Sequence, residues 1–176
     1  MLKIVKRKSF DASKASFAIV ASQYNARYVD AMLEAAREEL KTAGAKNVEV
    51  VRVPGAYEIP VVAARLASHA SRNLSRRTSE RRRITHHFHA IICLGVILRG
   101  ETSHAAHIGE AVSQALMQIQ LKYEVPVIHE VLLLENEDQA RVRCLGKKHN
   151  RGAEAAQTAL AMAQVMAKLQ ISKSTP

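Results

Sequence analysis

The sequence predicts an α/β fold in which a four-stranded parallel sheet lies between two layers of helices. Four apolar runs of strand length alternate with segments of helical periodicity along the chain. The hydrophobic content is 48%, yet aromatic residues make up only 4% and tryptophan is absent. A core of Ala, Val, Ile and Leu is typical of helices packed on a parallel sheet. At 176 residues, the length favours one domain spanning positions 1–176.

The first strand, the first helix and the second strand are predicted from residues 16 to 53. Residues 16–22 are an apolar run and predict a buried strand. Apolar residues at helical spacing predict a helix over 26–43, with Asn25 as its N-cap and Gly44 at its end. Valines that alternate imperfectly over 47–53 predict the second strand.

The centre of the chain adds a second helix, a third strand and a third helix. Pro54-Gly55 breaks the second strand, and a helix is predicted over 57–70, where Pro60 is tolerated in the first turn. The apolar run 88–98 predicts the third strand. The segment 103–123 then carries one apolar face at helical spacing and predicts the third helix.

The last third of the chain completes the sheet and adds two helices. Residues 126–134 predict the fourth strand, and helices are predicted over 137–145 and 151–170. Strands that alternate with helices throughout predict parallel pairing. Because the sheet has few strands and the helices are rich in Ala, we expect further burial against neighbouring subunits of a homo-oligomer.

The formal net charge of +10 is concentrated in one segment. Six arginines lie between Arg72 and Arg83, against the single acid Glu80. Such a segment is either a solvated surface loop or an electrostatic site for RNA, an acidic partner or a membrane surface. Because no aromatic residue is interleaved, we do not expect base stacking. The functional hypothesis is weak, salt-sensitive polyanion binding.

Composition also excludes several classes of protein. The basic N-terminus has no apolar segment of the secretory type, and no apolar run approaches the roughly 20 residues of a membrane span. The two cysteines, Cys93 and Cys144, make neither a disulfide framework nor a zinc-ligand spacing. We therefore expect a reduced, cytoplasmic protein without a bound metal or a membrane partner.

The end of the third strand carries the strongest candidate site. The loop after Leu98 runs into a helix start, where free backbone N–H groups suit an anion. His104 follows, and histidine is the side chain whose unperturbed pKa lies near neutrality. The alternative is an ordinary strand-to-helix turn, and His107, three residues on, is a rival to His104. An anion site beside a proton-transfer group makes the chain an enzyme candidate.

Other chemistry-bearing residues follow the first two strands or lie near helix ends. Tyr24 suits stacking on a planar ring, or is simple packing. Ala56, Tyr57 and Glu58 offer amides and a carboxylate to a polyol or heterocycle, or form a capped helix start. Arg143 is suited to bind a phosphate through two parallel hydrogen bonds. The alternative is that it only balances the partial charge of nearby helix ends, together with its basic neighbours Lys147, Lys148, His149 and Arg151. The turns after the first three strands share one sheet edge, which is where α/β proteins bind ligands.

Together, these residues resemble the lumazine synthase family, which is the penultimate enzyme of riboflavin biosynthesis. The likeness covers Phe17 to Leu169, nearly the whole chain. It rests on four blocks in the family's order, which are Ser22–Asn25, Val53–Pro60, Leu94–His104 and Gln139–Ala156. Four ordered blocks are far more specific than any single glycine motif.

The resemblance implies a flavodoxin-like three-layer αβα sandwich that assembles as homopentamers, sometimes as a 60-subunit icosahedral shell. It also implies active sites shared between adjacent subunits. The family condenses 5-amino-6-(D-ribitylamino)uracil with 3,4-dihydroxy-2-butanone 4-phosphate. A Schiff base forms, phosphate is eliminated, and ring closure with loss of water gives 6,7-dimethyl-8-ribityllumazine. No metal or organic cofactor takes part.

The resemblance also assigns roles to residues of this chain. His104 matches the family's proton-transfer histidine. Glu101 and Thr102 occupy the loop whose amides hold the substrate phosphate, Arg143 matches the arginine that pairs with it, and Arg151 stands where a lysine is usual. The pyrimidine and ribityl contacts fall on Tyr24 for stacking, on Ala56, Tyr57 and Glu58 for the ribityl chain, and on Val96, Ile97 and Leu98 for the ring pocket.

Three departures from the family pattern stand out. His129-Glu130 replaces an aromatic residue followed by Gly. We expect His129 to stack on the pyrimidine from the neighbouring subunit, and Glu130 to make the pocket more polar. Leu132–Leu134 replaces a threonine-containing strand end. A basic insertion at about 71–87 lengthens a normally short connection. The altered His129-Glu130 region favours an alternative, a non-catalytic flavin- or lumazine-binding or shell-forming homologue.

Overall fold

The four strands form one parallel sheet. The computed structural model describes residues 11–72, 88–146 and 149–171. The strands are β1 (Ser16–Ser22), β2 (Asn47–Val53), β3 (Ala90–Leu98) and β4 (Val127–Leu134). They lie in the order β2-β1-β3-β4, with every pair parallel. This confirms the predicted sheet and leaves β2 and β4 at its edges.

Helices cover both faces of the sheet and make the predicted three-layer sandwich. They are α1 (Ala26–Thr42), α2 (Ile59–Arg72), α3 (His104–Tyr123), α4 (Glu137–Ala140) and α5 (Arg151–Ile171). A 3₁₀ turn (Ala56–Glu58) precedes α2, and a π-helical turn (Arg141–Leu145) follows α4. One apolar core joins β1, β3 and β4 to α1 and α5, and the other joins the same strands to α2 and α3.

The central strands are buried on both faces. Every residue of β1 is buried, and its side chains alternate between the two cores, with Phe17 and Ile19 in one and Ala18 and Val20 in the other. This burial explains why β1 is a continuous apolar run in the sequence. The third strand was predicted to begin at Phe88, but β3 begins at Ala90, which pairs with Phe17 of β1.

Two local predictions need correction. Asn25 occupies the N-cap position of α1 as predicted, but its side chain does not cap the helix: its backbone is left-handed (φ 56°), and its Nδ2 donates to the Val96 carbonyl oxygen at 2.8 Å. The helix predicted over 137–145 is α-helical only to Ala140 and then widens into the π-helical turn. Gly44, with φ +85°, does follow the end of α1 as predicted.

The basic insertion predicted at about 71–87 falls almost entirely on residues 73–87, which lie outside the described residues. Lys147 and Lys148 of the predicted basic cluster also lie outside them. Among the helices that the structure describes, none is long and apolar enough to cross a membrane.

Candidate active site

A cleft of about 760 Å³ opens at the carboxyl ends of β1, β2 and β3. It brings together eight of the predicted site residues from four separate stretches of sequence, which are Tyr24, Ala56, Tyr57, Glu58, Val96, Ile97, Leu98 and His104. A crevice at this edge is where open α/β sheets bind their ligands. We call it the strand-end cleft.

The turn after β2 is held by its own side chains. The Glu58 carboxylate accepts a hydrogen bond from the Gly55 N–H at 2.8 Å, so one of its oxygens fixes the loop. The Tyr24 ring lies so close that a Cβ at Gly55 would come within 3.0 Å of Tyr24 Cδ2. Tyr24 and Tyr57 are nevertheless 71% and 64% exposed. Two aromatic rings therefore stand at the mouth of the cleft, available to a planar ligand.

Sequence reasoning missed several lining residues, namely Asn25, Gly55, Ile108 and Ala111. Three positions of α3, His107, Ile108 and Ala111, follow His104 by three, four and seven residues, which is the spacing of one helix face. That spacing was a signal in the sequence. His107 lines the cleft together with His104, so both histidines remain candidates for the proton-transfer group in the structure.

The loop predicted to hold phosphate lies outside the strand-end cleft. Glu101 and Thr102 are exposed and are not among the cleft-lining residues. The loop start is anchored to β4, since the Arg99 N–H donates to the Leu134 carbonyl oxygen at 2.8 Å and the Arg99 guanidinium lies 3.4 Å from the Glu135 carboxylate. Exposed backbone N–H groups at the start of a 20-residue helix suit an anion.

A second cleft, of about 740 Å³, lies beside the π-helical turn and the start of α5. We call it the arginine cleft, and its lining residues are Asp138, Gln139, Val142, Arg143, His149, Arg151 and Glu154. The Asn150 side chain joins its two walls: Nδ2 donates to the Cys144 carbonyl oxygen, and Oδ1 accepts from the Gly152 N–H at 2.8 Å. This bridge holds the backbones that carry Arg143 and Arg151 in a fixed relation.

The two arginines of this cleft differ in their partners. Arg151 Nη1 lies 2.7 Å from a Glu154 carboxylate oxygen, in a half-buried ion pair on α5. Arg143 is exposed on the π-helical turn. A π-helical turn inserts one extra residue per turn and often occurs at functional sites. Arg143 therefore suits an incoming anion better than Arg151 does.

Glu130 lies under this cleft, on the face of β4 that packs against α5. Its neighbours on that face of the strand, Ile128 and Leu132, belong to the α1–α5 core. Burial raises the pKa of Glu130 to about 7, with Glu154 adding to the rise and Arg151 and Arg143 opposing it. Sequence reasoning noted Glu130 as a departure but did not predict which face of the strand it occupies.

His129 points to the opposite face of β4. It is exposed, and its Nε2 lies 2.8 Å from the Ser113 Oγ on α3. It lines neither the strand-end cleft nor the arginine cleft of its own chain. The predicted pyrimidine contact of His129 therefore has no place in the strand-end cleft of a single chain.

The two cysteines offer no reactive thiolate. Burial raises the pKa of Cys93 far above its usual range, and burial together with Glu130 raises the pKa of Cys144 to about 11. Within residues 11–72, 88–146 and 149–171, no group of three or more His, Cys, Asp or Glu side chains is arranged to hold a metal ion. The residues that line the two clefts include histidine, arginine and carboxylate side chains.

Comparison with known proteins identifies relatives along almost the whole chain. A family model described as 6,7-dimethyl-8-ribityllumazine synthase matches residues 14–167. The protein of that name from Stenotrophomonas maltophilia (strain R551-3) is 38% identical over 157 residues, which cover 88% of this chain and 91% of the relative. The one from Coxiella burnetii (strain RSA 493 / Nine Mile phase I) is 35% identical over 161 residues, covering 90% and 96%.

Proposed function

The chain belongs to the 6,7-dimethyl-8-ribityllumazine synthase family, and on that premise we propose how its two clefts carry out the family's reaction. The enzyme is a transferase of riboflavin biosynthesis. It condenses 5-amino-6-(D-ribitylamino)uracil with 3,4-dihydroxy-2-butanone 4-phosphate. The products are 6,7-dimethyl-8-ribityllumazine, phosphate and water.

The observation that carries this proposal is the strand-end cleft, where a proton-transfer group lies beside aromatic and polar groups. In it, Tyr24 is exposed for stacking on the pyrimidine, and Ala56, Tyr57 and Glu58 lie at one helix start for the ribityl chain. The apolar end of β3, from Val96 to Leu98, borders the ring pocket. His104, the first residue of α3, lines the same cleft.

The reaction requires mainly that the two substrates are oriented toward each other and that protons are transferred between them. Binding both substrates in one site removes much of the entropic barrier to a bimolecular condensation. His104 takes and returns protons as the amine attacks the ketone, water leaves to give the Schiff base, and phosphate is eliminated. Backbone N–H groups at Glu101 and Thr102, with the Arg143 guanidinium, hold the phosphate before it leaves. Arg151 adds positive charge from the start of α5.

We further propose that each complete site is shared by two adjacent subunits. The pyrimidine and ribityl residues line one cleft and the two arginines line another, so a substrate pair needs both surfaces. Large apolar side chains are exposed on the helices and suit burial between subunits, namely Val61, Met117, Leu121, Val142 and Val165. A ring of subunits, as a pentamer or a 60-subunit shell, would bring the arginine cleft and His129 of one subunit to the strand-end cleft of the next.

Replacing His104 by alanine tests the catalytic part of this proposal. We expect kcat for lumazine formation to fall on the order of 100-fold, because a positioned acid–base group contributes at least that much and only water can then move the protons. The measurement is the initial rate of lumazine absorbance at saturating substrates. His107→Ala is the matched control in the same helix face, and a larger loss for it than for His104→Ala would assign the role to His107 instead.

A second activity is proposed for the arginine-rich segment Arg72–Arg83, which lies largely outside the described residues. It would bind polyanions weakly and without sequence preference, with the effect multiplied over many subunits. Gel-shift titration at low and moderate salt, with and without residues 72–83, tests it, and equal behaviour of the two proteins would contradict it. A cytoplasmic location fits both activities and is proposed with them.

A further inference from the structure

Gly55 is a buried glycine in the wall of the strand-end cleft, and its backbone conformation does not require glycine. Its φ of −134° and ψ of −179° are those of extended backbone, which any residue adopts. The absence of a side chain at this position therefore has another physical reason, namely the space that a side chain would occupy.

That space is taken by two side chains of the cleft. A Cβ at Gly55 would lie 2.9 Å from Glu58 Oε2, and 3.0 Å and 3.2 Å from Tyr24 Cδ2 and Cε2. Carbon atoms in favourable contact are about 3.5–4.0 Å apart. The Tyr24 ring and the Glu58 carboxylate thus rest against the bare backbone of Gly55, where a methyl group would displace both.

The backbone around Tyr24 is held by hydrogen bonds. The Tyr24 N–H donates to the Pro54 carbonyl oxygen at 3.1 Å, which ties the turn after β1 to the turn after β2. The next residue, Asn25, is tied to β3 through the Val96 carbonyl oxygen. A methyl group added beside the ring would therefore be accommodated by rotation of the Tyr24 side chain rather than by movement of the two turns.

On the basis of the proposed function, we propose that Gly55 is a positioning residue that holds the Tyr24 ring ready to stack on the pyrimidine substrate. Tyr24 is 71% exposed, so little of the molecule besides this contact restricts its rotation. A ring already resting in one orientation loses less conformational freedom when a ligand stacks on it. Gly55 thereby raises affinity for the pyrimidine substrate without touching the phosphate-bearing one.

Gly55→Ala tests this role, since the atoms that must move are the ends of flexible side chains and the fold has no reason to open. We expect KM for the pyrimidine substrate to rise about fivefold to tenfold, the scale of one aromatic stacking contact. We expect kcat and KM for the phosphate-bearing substrate to stay within about twofold. The thermal unfolding midpoint is expected within about 3 °C of the wild type. Gly109→Ala, the same change outside both clefts, is the matched control.

A double-mutant cycle with Tyr24→Ala shows whether Gly55 acts through the ring. Once the ring is gone, adding Gly55→Ala is expected to raise KM for the pyrimidine substrate by at most about twofold. The full loss repeated in the Tyr24→Ala background would overturn the inference. An unchanged KM in Gly55→Ala, or a fall in its unfolding midpoint of more than about 10 °C, would overturn it as well.

Equilibrium binding of 6,7-dimethyl-8-ribityllumazine to the same proteins, followed by fluorescence, separates this inference from the proposed function because it needs no turnover. Weaker binding by Gly55→Ala, in a protein that shows no turnover, rejects the proposed function and supports the role of Gly55. Turnover with unchanged KM and unchanged lumazine Kd in Gly55→Ala rejects the role of Gly55 alone.

Discussion

Replacing Arg143 by alanine is expected to reduce kcat/KM for the phosphate-bearing substrate on the order of 100-fold. The Arg143 guanidinium is exposed in the arginine cleft, while the neighbouring Arg151 is paired with Glu154. The loss arises because charge-assisted hydrogen bonds to phosphate disappear and the remaining cation is already paired. Initial rates over a range of the phosphate substrate, at saturating pyrimidine, measure it as a rise in KM.

Two control variants sharpen the Arg143 prediction. Lysine at position 143 keeps the charge but loses the planar fork, so we expect a loss between those of wild type and alanine. Lys41→Ala removes an exposed cation at the end of α1, outside both clefts, and is expected to leave the rate within about twofold, since isolated surface changes are small. A wild-type KM in Arg143→Ala would show that the phosphate binds elsewhere.

Arg143→Ala also reports on sharing of the site between subunits. If His104 and Arg143 act from adjacent subunits, equal and random mixing of His104→Ala and Arg143→Ala subunits in one oligomer makes about a quarter of the sites intact. Such a site has His104 from one subunit and Arg143 from its neighbour. Co-refolded mixtures are therefore expected to exceed the summed activity of the separate variants. A mixture no faster than that sum would place both residues in the same subunit's site.

Replacing Gly152 by alanine is expected to destabilise the fold by about 3 kcal/mol or more. At this first turn of α5, a Cβ would overlap the backbone carbonyl group of Met32 on α1. Because the obstructing atoms are backbone, they cannot rotate away as a flexible side chain would. The two helices would have to separate, and the α1–α5 core would open. Thermal unfolding and the yield of assembled protein measure the effect.

Gly109→Ala is the matched control for Gly152, because it also lies within a helix. A Cβ there would meet only the Leu133 side chain at an ordinary 3.6 Å. Alanine favours the helix over glycine, so we expect this variant to be as stable as the wild type or more stable by about 0.5–1 kcal/mol. If Gly152→Ala unfolded at the same temperature as Gly109→Ala, close packing of α1 on α5 would not limit stability.

The fold was predictable because its signals are strong and local. β1 is buried along its whole length, and α1 carries its buried residues at helical spacing, so both elements are visible as apolar patterns. The strand-end cleft was predictable for a topological reason, since parallel strands bring the residues after β1, β2 and β3 to one edge. Correctly predicted strands therefore place Tyr24, Tyr57 and His104 near one another by topology alone.

Other features depend on tertiary contacts that the sequence does not display. Asparagine is a residue type that favours N-caps, yet the Asn25 side chain donates its hydrogen bond to the carbonyl oxygen of Val96, which lies 71 residues away in sequence. The π-helical turn carries no compositional signal, although it determines where Arg143 stands. The electrostatics of Glu130 depend on α5 and the π-helical turn, which pack over it from elsewhere in the chain. Such long-range effects appear only when the elements are assembled.

The most direct test is to incubate the purified protein with both substrates and follow lumazine fluorescence. We predict formation of 6,7-dimethyl-8-ribityllumazine well above the spontaneous rate, with one phosphate released for each lumazine formed and no added metal or cofactor. Omitting the protein gives the spontaneous reference. No turnover above that rate, by a folded and assembled protein, would contradict the account and indicate a homologue that binds flavins or forms a shell without catalysis.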